Sequence, residues 1–499
     1  MDSYWQHAAP STVPRHDPLP EEADAVVLGG GLTGLTTALL LARAGRSVVL
    51  LEARRIGDVT TGRTTGKVSL LQGTKLSRML RTTSEHVTRA YVEGTTEGRD
   101  WLARFCVDHD VPLEERDAVT FAATEEERSA AEAEHQACQR LGIDTRWHPS
   151  PDLGIPSYGA TVLRDQYQID PAPVLAALLA ELTRHGGVVR ENDRVVSVSK
   201  VGRPVVRTAD GIEVRADDVV LATGTPVLDR GLYFAKLEPR RSYVLMYDGT
   251  DLPPGMLLSA GDPSFSVRDV PGADGPDSVR KALLMVGGNG HTVGRTRSER
   301  RHLDGLRAWA TSRYPGGVET HAWSAQDYSS HDGIPYVGAL PRGLGRIHLA
   351  TGYDKWGLTN GVAAALRITG EILGDQPSWA TPMARRITRP RAAATIVSTN
   401  LKVGLALAAG LVSAESRSTP RAPAEGEGAV GRSGLNPVPV ATSTVDGRTC
   451  SVSGLCTHLG GVLKWNDAEQ SWDCPLHGSR FSPDGSVLEG PATTPLAAR

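Results

Sequence analysis

The chain has 499 residues, with 54 Lys and Arg against 57 Asp and Glu (formal net charge −3) and 40% hydrophobic residues. That is a length for two or three domains and the make-up of an ordinary soluble globular protein. Both signs of charge are scattered along it, so no basic stretch favours nucleic acid or an anionic membrane. The five cysteines, Cys106, Cys138, Cys450, Cys456 and Cys474, make no disulfide framework, which suits a reducing compartment.

Residues 1 to 20 lack an apolar core and carry Pro10, Pro14, Pro18 and Pro20, so they read as a loose tail without a signal peptide and the protein as cytoplasmic. Ala25 to Ala42 is an eighteen-residue run without a charge, within reach of a membrane span, but its glycines argue otherwise. Ala25 to Leu28 is a short apolar strand, Gly29-Gly30-Gly31-Leu32-Thr33-Gly34 a G-x-G-x-x-G turn, Leu35 to Ala44 a helix, and Ser47 to Leu51 a second strand ending at Glu52. In this βαβ setting the motif predicts a dinucleotide site. Gly29 permits the turn, Gly31 lets backbone approach a pyrophosphate and Gly34 packs helix on sheet, while Glu52 accepts from ribose hydroxyls. The unpaired N–H groups and positive end of the helix suit the phosphates. The motif alone leaves FAD and NAD open.

Gly57 to Leu70 is a Gly- and Thr-rich loop placed to fold over a cofactor, and it contains Arg63 and Thr64. Residues 77 to 145 read as helices with solvated charged faces. Asp170 caps a helix over Val174 to His185, with prolines in its first turn. Short strands follow at 188–190, 194–198, 204–208 and 211–215, and a buried one from Val219 closes on a glycine at Gly224. Alternating apolar segments over residues 236 to 330 predict an antiparallel sheet forming a substrate domain. Arg240, Arg241 and Tyr243 there are candidates for a substrate carboxylate, with structural roles favoured. His321 and His331 form no metal pattern, and Cys106, Cys138 and Cys450 read as packing or surface thiols. A helix from Gly361 turns its N-terminus to the cofactor.

Val403 to Ala414 is twelve apolar residues, too short for a membrane span and better read as a docking helix. The polar, Pro- and Gly-rich run from 414 to 434 marks an interdomain joint. Beyond it, Cys456-Thr457-His458 and Cys474-Pro475-Leu476-His477 lie fifteen residues apart. Two mixed Cys/His pairs can hold a [2Fe-2S] cluster of Rieske type, with two thiolates on one iron and two imidazoles on the other. The rival is a structural zinc site, which usually pairs Cys with Cys and His with His.

Taken together, VVLGGGLTGL, QIDPAPVLAALL, VVLATG, WSAQDYSSHDGIPYVG and ATGYDKWGLTNG resemble, in that order, the D-amino-acid oxidase and sarcosine oxidase superfamily of FAD enzymes. CTHLGG, SWDCPLHGSRF and GPATTPL resemble a Rieske domain. The resemblance implies an α/β fold: a Rossmann-like FAD-binding domain interleaved with an antiparallel-sheet substrate domain, then a small all-β Rieske domain. The expected division is a flexible tail to residue 20, the FAD-dependent oxidoreductase domain over 21–385, a connecting helix and linker over 386–425, and the Rieske domain over 426–499. It also implies FAD and a [2Fe-2S] cluster as cofactors. Gly29, Gly31, Gly34, Glu52, Arg63, Thr64, Gly224, Gly352, Gly357 and Thr359 would bind FAD, and Cys456, His458, Cys474 and His477 the cluster. Lys355 and Trp356 would lie at the flavin as catalytic residues, Lys355 facing negative charge on the ring.

The activity so implied is oxidation of a C–N bond in an amine or amino acid, with electrons passed through the cluster to a one-electron acceptor, a protein or a quinone. Two other readings stand beside it: an NAD(P)H-fed reductase serving an oxygenase, which needs a second dinucleotide fold that Gly287-Gly288-Asn289-Gly290 does not supply, and a non-catalytic electron carrier. Arg63 stands where covalent-flavin relatives carry histidine, so FAD is expected to be non-covalent. Gly461 and Leu476 stand where high-potential Rieske proteins pair cysteines, and Phe481 where a tyrosine is frequent, although Ser479 is retained. The cluster potential is therefore expected in the lower or middle part of the roughly −150 to +300 mV range.

Overall fold

The computed structural model describes residues 1–8, 18–199, 202–228, 231–271, 282–384, 398, 400–401, 403–407, 422–432 and 438–499. Its first layer is the parallel sheet that the βαβ glycine motif predicts. Strands run in the order Tyr336–Ala339, Ile347–Thr351, Glu213–Leu221, Glu22–Leu28, Val48–Leu51 and Val188–Arg190. Tyr336–Ala339 joins antiparallel, and the four pairings from Ile347–Thr351 to Val188–Arg190 are parallel. Their burial on both faces explains why they read as apolar runs such as VVLL, buried at every position. Helices Leu32–Arg43, Pro171–Arg184 and Gly357–Leu373 cover this sheet, and Leu35, Leu39, Leu178, Val362 and Ile368 fill the space between. Each such aliphatic side chain contributes about 1.5–3 kcal/mol when fully buried.

The second layer is a nine-stranded, largely antiparallel sheet in the order Val318–Ser330, Leu237–Asp248, Leu283–Thr292, Phe265–Val270, Met256–Ser259, Leu113–Phe121, Ala160–Ile169 and Lys67–Val68, with Arg146–His148 beside Ala160–Ile169. Strands from before and after the second half of the Rossmann sheet meet in it, so the two units are interleaved. Four expectations need correction. Leu113–Phe121 is a strand inside the segment read as all helix; its charges Glu114, Glu115 and Arg116 sit on the half-buried end and mask the alternation. The expected strands at 211–215 and from Val219 are one, Glu213–Leu221. The helix expected from Gly361 begins at Gly357. Residues 1–8 are not a loose tail: Trp5 is 2% exposed, donates from Nε1 to Thr64 O at 2.7 Å and lies against Arg268.

Gly287-Gly288-Asn289-Gly290 falls within the antiparallel strand Leu283–Thr292, not at a strand-to-helix turn, so it is no second dinucleotide motif. Among the described residues no helix is long and apolar enough to cross a membrane. The C-terminal domain holds a three-stranded sheet, Gly428–Gly431, Val440–Val445 and Arg448–Ser453, and a four-stranded one, Lys464–Asn466, Ser471–Asp473, Arg480–Phe481 and Val487–Glu489. Much of the joint at 414–434 and of the connecting segment lies outside the described residues. Residues 403–407 are helical, and Val403, Ala406 and Leu407 pack against the C-terminal core, while Asn400 Nδ2 donates to Ala235 O.

Candidate functional sites

Between the two large sheets lies a cavity of about 780 Å³, within the range of roughly 300–1,000 Å³ that small-molecule sites occupy. Gly29, Gly31, Glu52, Arg63, Thr64, Gly224, Lys355, Trp356 and Gly357 all line it. Gly34, Gly352 and Thr359 are not among its lining residues. Gly34 is where the helix meets the strand turn, and a Cβ there would collide with Gly29 O. Thr359 is buried and accepts from Gln72 Nε2 at 3.2 Å.

The cavity fits a dinucleotide on three observations. The helices Leu32–Arg43 and Gly357–Leu373 both end their N-terminal turns in it, through Gly31, Leu32, Gly357 and Leu358, presenting N–H groups and positive dipole ends. At Gly357 a Cβ would meet nothing nearer than Tyr353 at 3.5 Å. Packing does not demand that glycine, so the room beside it belongs to the cavity. Glu52 accepts from Gly30 N at 2.7 Å and Arg54 N at 2.7 Å, which holds its carboxylate beside the glycine turn.

The other end of the cavity is walled by Lys75, Arg78, Met79, Leu258, Gly287, Asp327, His331 and Asp354. Buried Lys75 donates to Asp354 Oδ2 at 2.9 Å. Burial opposes ionisation of Asp354, but Lys75 and Arg78 outweigh it and hold the carboxyl well below its usual range. Burial pushes Asp327 up to about 6. Asp327 accepts from the Lys355 backbone N–H. Lys355 lines the cavity and is exposed there. Desolvation, then the nearby Arg240, lowers its pKa. Sequence reasoning missed Lys75 and Asp354, since a lysine in a helix of charged character carries no sign that it will be buried.

In the C-terminal domain the loops 456–460 and 474–479 bring the four ligand candidates together. The His458 and His477 rings lie 5.2 Å apart. Cys456 and Cys474 hydrogen-bond, and chiefly that bond lowers the Cys456 thiol to about 6. Burial pushes the His477 imidazole down to about 3, the neutral form that ligates iron. Its Nδ1 is buried without a hydrogen-bond partner, an atom with a cost that an iron ligand would remove. No group of three or more His, Cys, Asp or Glu among the described residues converges on a single ion. Paired thiols at Cys456 and Cys474 beside paired imidazoles at His458 and His477 are the donor set that a Rieske cluster asks for, two protein ligands on each iron. Gly461 packs on Leu476, with a Cβ there 2.7 Å from the leucine and 2.9 Å from Cys474 Sγ. The contact fills the place where a loop-locking pair would stand.

The two sites adjoin. Ala235, Lys236 and Leu237 line the cavity, while Phe234 packs edge-on against His458 and His477 at 5.4 and 4.7 Å. Arg241, 1% exposed, is no substrate ligand: it pairs with Glu469 at 2.9 Å and Glu489 at 3.2 Å of the C-terminal domain. Tyr243 bonds His291, and Arg240 lines the cavity. Nothing in the sequence marks Phe234 or the Arg241 clamp, since both depend on how the domains dock.

Two family models match the chain: FAD dependent oxidoreductase over residues 24–370 and Rieske [2Fe-2S] domain over 425–498. A full-length relative is YhfW of Bacillus subtilis (strain 168), whose name refers to a Rieske 2Fe-2S iron-sulfur protein; it is 31% identical over 99% of this chain and 97% of its own. Among solved structures, glycine oxidase from Geobacillus kaustophilus matches with a TM-score of 0.61 at 17% identity, over 74% of this chain and 100% of its own. L-Amino acid deaminase from Proteus myxofaciens matches at 0.58 and 17%, over 75% and 95%. At such identities the structural likeness speaks for the fold.

Proposed function

The chain belongs to the FAD dependent oxidoreductase family and carries a Rieske [2Fe-2S] domain, and from that premise we propose that it oxidises a C–N bond in an amine or amino acid and delivers the electrons one at a time, through the cluster, to an external one-electron acceptor. When bound, FAD supplies a two-electron hydride acceptor and the cluster a one-electron carrier. The observation that carries the reading is the short turn Tyr233–Ala235, which touches the cavity on one side and both cluster histidines on the other. A cavity and a cluster joined by adjacent residues suit transfer within one molecule. The names of the structural neighbours, glycine oxidase and L-amino acid deaminase, support an amine or amino acid as substrate.

The chain's own groups divide the work. The glycine turn, Glu52, Arg63, Thr64, Gly224 and the N-terminus of helix Gly357–Leu373 are proposed to hold FAD. Gly34, Gly352 and Thr359 support that shell from behind. Lys355 and Trp356 face the reacting end, and Lys355 offsets negative charge developing there. Asp354, kept ionised by Lys75 and Arg78, orders the turn that carries them. Cys456, Cys474, His458 and His477 are proposed to ligate the cluster. The exposed loop around Thr457, Leu459 and Gly460 offers a small protein or a quinone its approach.

Anaerobic addition of amines and amino acids tests this reading. The true substrate should bleach the flavin and then produce the electron-spin signal of a reduced Rieske centre. Bleaching with a cluster that stays oxidised would sink the relay, and bleaching by NADPH but by no amine would favour the reductase direction.

A further inference from the structure

We propose that the iron–sulfur domain is itself part of the FAD site: its segment 487–493 forms one wall of the cofactor cavity, and the buried Arg241 clamp holds that wall in place. The inference needs only FAD in the cavity and stands whatever substrate is oxidised.

Leu488, Glu489, Gly490, Ala492 and Thr493 line the same cavity as Gly29, Glu52 and Gly224. Three side chains of the oxidoreductase body hold the backbone of this segment. Arg54 Nη1 donates to Leu488 O at 3.3 Å, Arg194 Nη2 to Val487 O at 3.0 Å and the Tyr328 hydroxyl to Gly490 O at 3.1 Å. All three also line the cavity. Arg54 follows Glu52 by two residues, so the wall is tied to the turn that carries the predicted ribose acceptor.

The position of the wall is set by buried charge. Glu489 lines the cavity and accepts from both Arg241 at 3.2 Å and Arg480 at 2.7 Å. Glu469 joins the same two guanidinium groups. Burial would raise its pKa, but Arg480 and Arg241 hold the carboxyl down to about 2. Neither Arg241 nor Glu469 lines the cavity. The other end of the wall is tied to the cluster loops, since Ala492 N donates to Ser479 Oγ at 3.0 Å. A ligand that stabilises this wall must stabilise the docked domain by the same free energy, and the docked domain must tighten the ligand in return.

The test uses full-length holoprotein with Arg241→Met and Glu469→Gln, following FAD release on dilution by flavin fluorescence. Release should be at least tenfold faster than from the parent, while dithionite still develops the Rieske electron-spin signal. FAD should also slow amide exchange over residues 487–493 in the parent, and less in the variants. If Arg241→Met does not fold, Glu469→Gln decides, because it leaves Arg241 paired with Glu489, and Arg480 with Glu489 and Asp473. Parental FAD release in Glu469→Gln, or exchange over 487–493 that is indifferent to FAD, would overturn the proposal.

Discussion

Glu299 opens the helix Glu299–Arg313 and is 3% exposed. Burial, and then the carboxylates of Asp473 and Asp467 in the neighbouring domain, push it up to about 8 from an ordinary value of 4.5. It is therefore protonated in the folded protein at pH 7 and ionised in the unfolded chain. Each tenfold change in proton affinity is worth about 1.4 kcal/mol, so the linkage amounts to roughly 5 kcal/mol at most. The sign follows from a raised folded pKa: this stabilisation is complete below the unfolded value and is lost as pH rises through the folded one. Worked through the two titrations, about 4 kcal/mol remains at pH 5, about 1.4 at pH 7 and close to nothing at pH 9. Glu299→Gln replaces the proton by a permanent neutral group and should abolish this slope. Thermal midpoints of parent and variant, compared pairwise from pH 5 to pH 9 because a two-domain cofactor protein need not unfold in one step, should diverge by several degrees, with the variant ahead at the alkaline end. A parent-to-variant difference that stays constant with pH would refute the reasoning.

Three further outcomes follow from the sites. Lys355→Met should lower the flavin midpoint potential by roughly 30 mV, the equivalent of about 1.4 kcal/mol for a two-electron couple, and a potentiometric titration showing no fall or a rise removes the lysine from the flavin. Because Arg63 is not a residue that forms a histidyl link, denatured protein should give the mass of the bare chain, and a gain of one FAD mass contradicts that. Phe234→Ala should leave the rate of flavin bleaching near the parent's and slow the appearance of the Rieske signal severalfold in anaerobic stopped flow; equal slowing of both, or of neither, takes Phe234 off the route.

The parts legible in the sequence are those that one local pattern determines. The glycine turn between Leu28 and Thr33 requires a left-handed Gly29 and a helix pressed on the strand at Gly34, and no other arrangement satisfies both. The four proposed ligands at 456, 458, 474 and 477 are equally local, because two tight loops carry them. The strand Leu113–Phe121 was hidden because only its second half is fully buried, so charged residues break its alternation. Trp5 stayed invisible for a different reason: its partners Thr64 and Arg268 come from distant parts of the chain. A structural role is the favoured sequence reading of Arg241, and the structure agrees, but the sequence does not show what it pairs with. Its partners, Glu469 and Glu489, lie more than two hundred residues away, beyond any spacing rule.

The same clamp bears on whether the cluster domain swings. In the proposed relay a one-electron centre fed by a two-electron donor would be served twice in each turnover, so a mobile domain would have to undock repeatedly. Undocking separates Arg241 from Glu469 and Glu489 and breaks the bonds from Arg295 to Pro475 O and from Gln326 to Gly478 O. Rehydration of the freed charges offsets much of the loss of these pairs, so what counts against undocking is the neutral hydrogen bonds and packed contacts that must be given up with them. Phe234 already touches both cluster histidines in the docked state, so undocking would forfeit contact on the cofactor side. In the proposed relay the acceptor would then come to the domain, at the loop from Thr457 to Gly460, where Leu459 is 48% exposed next to His458.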